Sequence, residues 1–101
     1  MKHHEVVWHP KARADLIGLY DWIAGQADTD TAFAYTSKIE EHTTRLSQFP
    51  ERGTPREDLA PGLRTMPYRR RTVIAYRAVD GMVEIVRVVH AGRDMGVMFE
   101  E

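Results

Sequence analysis

The chain contains no cysteine, which excludes disulfides and thiolate metal centres, so packing alone must hold the fold. No stretch approaches the ~20 consecutive apolar residues of a membrane-spanning helix. The opening Met-Lys-His-His-Glu-Val-Val has neither the apolar core nor the small-residue cleavage site of a secretory signal. A cytoplasmic protein with no membrane role is therefore expected. Gly-rich phosphate loops, nucleophile elbows and paired-carboxylate motifs are also missing. His3, His4 and His9 lack an acidic or thiol ligand at recognisable spacing, so no metal or other cofactor is expected. Lysine stops at Lys38, which leaves the second half of the chain with arginine as its only strong cation.

What remains is a single core's worth of sequence, 101 residues with 43% apolar side chains, read as one domain over 1–101. The net charge of −1 argues against a protein whose main task is gripping nucleic acid. The charge is unevenly spread. Residues 52–94 hold nine arginines against five acids, and residues 1–51 hold five Lys/Arg against eight acids. Arginine suits bidentate contact with carboxylate or phosphate, so the second half can present a basic face to an acidic partner.

Residues 4–8 have the pattern of a first strand, ended by His9-Pro10, with Pro10 well placed in the first turn of a helix. Ala12, Leu16, Leu19, Tyr20 and Ile23 recur at helical spacing, and Gly25 is the expected stop. Asp28-Thr-Asp-Thr supplies N-caps for a second helix with the stripe Ala32, Tyr35, Ile39, His42, Leu46. Residues 50–62, with three prolines and two glycines, form a loop. Strands follow at 63–68 and 71–79, with Pro67 pushing the first towards an edge. Asp80-Gly81 marks a type I′ hairpin turn before the return strand 82–89. The order β-α-α-β-β-β describes an α+β fold, a helical hairpin packed on a small antiparallel sheet.

Candidate functional residues concentrate late in the chain. Arg69-Arg70-Arg71 suits phosphates or an acidic segment, and serves equally as edge-protecting charge. Arg87 interrupts the most apolar strand, so it either pairs inside the fold or faces a polar groove. Glu84 is three residues away on the opposite face and is an unlikely partner. His90, Arg93 and Asp94 cluster after that strand. They fit general acid–base chemistry or, more plainly, capping of a chain turn. Trp22 sits beside the first helix's stripe and, if exposed, is an interface anchor.

Over residues 5–94 the ordered segments resemble the ParE family of the ParE/RelE toxin superfamily. The resemblance is carried by Pro10-Lys-Ala-Arg-Ala-Asp-Leu with Tyr20-Asp-Trp-Ile, by Leu46-Ser-Gln-Phe-Pro-Glu-Arg-Gly, and by Gly62-Leu-Arg, Ile74-Ala-Tyr-Arg and Glu84-Ile-Val-Arg-Val-Val-His. It implies a type II toxin held inactive by a ParD-like antitoxin whose disordered segment folds as it wraps the toxin. ParE-like members poison DNA gyrase without being enzymes, whereas RelE-like members cut messenger RNA on the ribosome. The missing lysines, the scarcity of tyrosine past the helices and the net charge favour gyrase, with nucleic acid met only indirectly. Arg64, Arg69, Arg70, Arg87, Arg93 and Trp22 are the expected partner contacts, helped by the tail after Asp94. Typical ParE tails read His-Gly-Ala-Arg-Asp, whereas here the sequence is His90-Ala-Gly-Arg-Asp. His90 with Arg87 and Arg93 is accordingly the alternative, a minimal ribonuclease site. A third reading is an inactive member that only binds its antitoxin as co-repressor.

Overall fold

The computed structural model describes residues 4–90. Its elements are β1 (Glu5–Trp8), α1 (Pro10–Gln26), α2 (Thr29–Thr44), a 3-10 turn (Arg45–Ser47), β2 (Thr54–Pro55), β3 (Arg64–Tyr68), β4 (Thr72–Val79) and β5 (Met82–His90). They make a two-layer α+β domain in which the helical hairpin covers one face of a five-stranded sheet ordered β1-β5-β4-β3-β2.

Local chemistry sets the helix starts. His9 precedes Pro10, and its Nδ1 accepts the Lys11 N–H at 3.0 Å, satisfying a donor that the first turn would leave bare. Asp28 does the same for Thr31 at 2.6 Å. These hydrogen bonds from Thr31 lower the Asp28 pKa, keeping it ionised where a helix N-terminus favours negative charge. The end of α1 differs from expectation. Gly25 lies within the last turn and has no positive φ. The helix stops at Ala27 because Asp28, at φ −163°, is already extended as the cap of α2.

Two features depart from a simple antiparallel sheet. β1 runs parallel to β5, in register Glu5↔Met82 to Trp8↔Ile85. The loop 50–62 also contributes the two-residue β2, paired antiparallel to Thr65 and Arg64. Apolar alternation fixes which face a strand buries but not its direction relative to a distant neighbour. The remaining pairs are antiparallel, and Asp80 and Gly81 take φ +50° and +79°, the signature of the type I′ turn. Pro67 sits on the part of β3 that β2 does not cover, where its missing N–H costs no ladder bond.

The core between the layers is built from Ala12, Leu16, Leu19 and Ile23 of α1, Ala32 and Ile39 of α2, and Ile74, Tyr76, Val83, Ile85 and Val88 of the sheet. The β4–β5 register slips between Ala75 and Tyr76, because Ala75 faces Arg87 while Tyr76 faces Ile85. Val86 is the extra, bulged residue. Before it Val83 and Ile85 point to the helices; after it Val88 takes their place. That one residue decides what the exit of β5 presents.

Candidate functional site

α1 passes along the end of β5, and Asp15 is the contact. Arg87 Nε and Nη2 donate to its two oxygens at 2.7 and 2.8 Å. Asp15 Oδ2 also accepts the Val88 backbone N–H at 2.9 Å. The two side chains are only 16% and 12% exposed. A bidentate, buried pair of this kind is a strut between sheet and helix. The bond to Asp15 raises the Arg87 pKa further, so the guanidinium stays charged at any working pH.

Three residues after Arg87, His90 closes the strand opposite Thr72. Its Nδ1 lies 2.8 Å from Thr72 Oγ1, which lies 2.9 Å from the Tyr35 hydroxyl of α2. A neutral ring accepting at Nδ1 from Thr72, with Thr72 accepting from Tyr35, satisfies all three groups. Burial first, then the charge of Arg71, lowers the His90 pKa. The ring packs against Trp22 at 5.5 Å and Tyr35 at 6.1 Å, and Tyr35 meets Tyr68 edge-on at 5.5 Å. Tyr68 in turn meets His42 at 5.3 Å. A row of rings thus runs from α1 across the sheet end to the far flank of α2. Trp22 and His90 line a cleft of about 400 Å³ together with Ala14, Asp15 and Gly18.

His42 shares the downward shift, from burial and then from Arg45 and Arg52. Both imidazoles are held neutral by the fold, so the unfolded chain binds more protons as pH falls through the ordinary histidine value of 6.5. Their contribution to stability is present above that value and lost below it. The melting temperature is expected to drop between about pH 7.5 and about pH 5.5, above the carboxylate range. The drop should be smaller in His90→Gln; an unchanged pH slope in that variant would remove His90 from the account.

A match to the family model for the ParE toxin of the type II toxin–antitoxin system parDE spans residues 6–95. The chain belongs to the ParE toxin family. A curated relative is Toxin RelE2 of Caulobacter vibrioides, 37% identical over 90 residues, which cover 88% of this chain and 97% of that one. Among solved structures, a chain of the chromosomal ParDE TA system from P. aeruginosa superposes with a TM-score of 0.78. It is 25% identical, and the match covers 89% of this chain and 98% of that one.

The expected contact residues of this ParE-family toxin fall into three groups. Arg69 and Arg70 stand exposed in the three-residue turn between β3 and β4, with Arg69 at φ +56° and its guanidinium 5.5 Å over the Tyr68 ring. Trp22 is 49% exposed beside His90. Arg64 and Arg87 are committed inside the fold rather than presented. Arg64 Nη1 donates to the carbonyls of Glu51 and Gly53 at 3.1 and 2.8 Å, while Arg87 holds Asp15 as above. Arg93, Asp94 and the tail after them lie outside the described residues. Sequence reasoning gave Asp15 and Thr72 no role and read Tyr35 only as part of the α2 stripe. For Asp15 a signal existed, since an acid on the flank of the α1 stripe is the natural counterpart of a lone arginine in a buried strand.

Proposed function

We propose that this chain is the toxin of a ParDE-type pair, a non-enzymatic inhibitor of DNA gyrase that arrests growth in the cytoplasm and is neutralised by a ParD-like antitoxin. The observation that carries the reading is the state of Arg87. In the rival scheme, His90 is the acid or base and Arg87 helps to stabilise a transition-state phosphate. A guanidinium already bidentate to a buried carboxylate is poorly placed for that task. Among the described residues, the exit of β5 offers no lysine. Tyr76, a candidate by type, is fully buried with its hydroxyl bonded to the loop.

Support for an antitoxin partner comes from exposed apolar side chains on the helical hairpin. Ile17, Phe33 and Trp22 are 62%, 66% and 49% exposed, and such residues anchor a segment that folds as it binds. The C. vibrioides relative bears a RelE name and the P. aeruginosa structure a ParDE one, so the names point both ways and the side chains carry the reading.

The test is pulse-labelling of DNA and protein synthesis in the minutes after the toxin is induced without antitoxin. Early loss of DNA synthesis with continued translation, in both wild type and His90→Ala, is the expected result. Immediate collapse of translation, abolished by His90→Ala in a protein that still folds, would assign mRNA cleavage instead. No toxicity at all would leave the co-repressor role.

A further inference from the structure

The cations without an ion-pair partner are not scattered. Among the described residues, Arg13, Arg56, Arg77 and Arg87 pair with Glu40, Asp58, Glu84 and Asp15, and Arg64 is spent on carbonyls. Lys38, Arg45, Arg52, Arg69, Arg70 and Arg71 have no carboxylate partner, and they gather on one side of the molecule. Arg45 and Arg52 are close enough to His42 to lower its pKa. His42 touches Tyr68, and Arg69 covers Tyr68. Arg71 acts on His90. Lys38 lies three residues after Tyr35 and four before His42, on the same flank of α2. Glu41, three residues after Lys38 and four before Arg45, is the one acid on this flank of α2 and pairs with none of these cations. The net charge of −1 conceals this segregation because Asp15, Glu40, Asp58 and Glu84 are each held by an arginine outside the cluster.

We propose that this face, the flank of α2 together with the β3–β4 turn, is a docking surface for the sugar-phosphate backbone of duplex DNA. Three consecutive exposed arginines at a turn, one of them in the left-handed conformation that side chains avoid, place charge at the tip where edge protection would need a single residue. Guanidinium groups match phosphate oxygens bidentately. The chemistry of the rings selects the type of polyanion. The Arg69 guanidinium lies over the Tyr68 ring, which is also engaged in edge contacts with Tyr35 and His42, so the face offers no open stacking platform of the kind single strands use. An acidic peptide would need apolar anchors. The exposed Phe33 sits two residues before Tyr35, on the other side of α2. What the face offers is charge, suited to a polymer carrying one charge per ~1.7 Å. The inference rests on this surface alone and is independent of the choice of gyrase as target.

The test is fluorescence anisotropy of the purified toxin with a labelled duplex DNA of about 20 base pairs, titrated over a range of salt, beside a matching single-stranded RNA and a poly-glutamate peptide. Binding should follow a log–log salt slope of about −3 to −5, as for four or five phosphate contacts. Replacing Arg69, Arg70 and Arg71 by alanine should reduce the slope by about 2–3 and weaken binding at least ~10-fold. Lys38→Ala with Arg45→Ala, on a helix surface that tolerates alanine, should weaken it independently and covers the case in which the turn variant misfolds. Arg56→Ala, whose side chain is already held by Asp58, should leave binding unchanged. No duplex binding at low salt, equal loss in Arg56→Ala, or tighter binding of the RNA or the poly-glutamate than of the duplex would each overturn the proposal. Failure here leaves the pulse-labelling result untouched, so the two readings fall separately.

Discussion

Replacing Asp15 with alanine should destabilise the fold by about 3–5 kcal/mol, a large share of the ~5–15 kcal/mol that holds an ordinary domain together. The cost arises because the change removes one partner and strands the other. Arg87 would keep its charge in a site where its side chain is only 16% exposed. The Val88 N–H, which also relies on Asp15 Oδ2, would lose its acceptor, worth a further ~1–3 kcal/mol if water cannot replace it. Arg87→Ala should cost less, since Asp15 would still hold the backbone N–H. The double change Asp15→Leu with Arg87→Met removes both charges and should recover most of the loss except the Val88 term. Urea unfolding of the four proteins measures this directly. A loss below about 1 kcal/mol for Asp15→Ala would mean the pair is solvated like a surface ion pair and the strut is not one.

Much of this architecture was readable from residue spacing. The α1 stripe names Ala12, Leu16, Leu19 and Ile23 because four buried positions at helical spacing have no other explanation. Asp80-Gly81 dictates its turn because both positions need positive φ. The orientation of β5 was illegible for a definite reason. The bulge at Val86 reverses the in–out alternation, so Val83 and Ile85 share a face with Val88. A strand apolar on both sides carries no mark of where that reversal falls. The side to which Arg87 turns was hidden by the same bulge, and its partner, 72 residues earlier, was signalled only by an acid on the flank of the α1 stripe. The arginine tip was visible in sequence, but its extension was not. Arg45 and Arg52 join it only because α2 lays His42 against Tyr68.

The loop after α2 gives the second large effect. Gly53→Ala should cost about 3 kcal/mol, at the upper end for overpacking, because the added carbon has nowhere to go. It would stand 2.6 Å from the Tyr76 hydroxyl oxygen and 2.7 Å from the backbone carbonyl of Thr65. Neither can yield easily. Tyr76 is fully buried, its hydroxyl donates to the Pro50 carbonyl at 2.9 Å and accepts the Gly53 N–H at 2.7 Å. Burial raises its pKa, so the phenol keeps the proton it donates. The Thr65 carbonyl belongs to the strand that pairs with both β2 and β4. Tyr76→Phe should itself cost ~1–3 kcal/mol by leaving the Gly53 N–H and the Pro50 carbonyl unpaired. In the double variant the hydroxyl that the new methyl strikes is gone and only the Thr65 contact remains. The two losses should therefore sum to less than their separate values by about 1 kcal/mol or more, a coupling that denaturant unfolding of the four-protein cycle resolves. Strict additivity would place the clash on the Thr65 backbone alone and make Tyr76 a bystander to the shape of this loop.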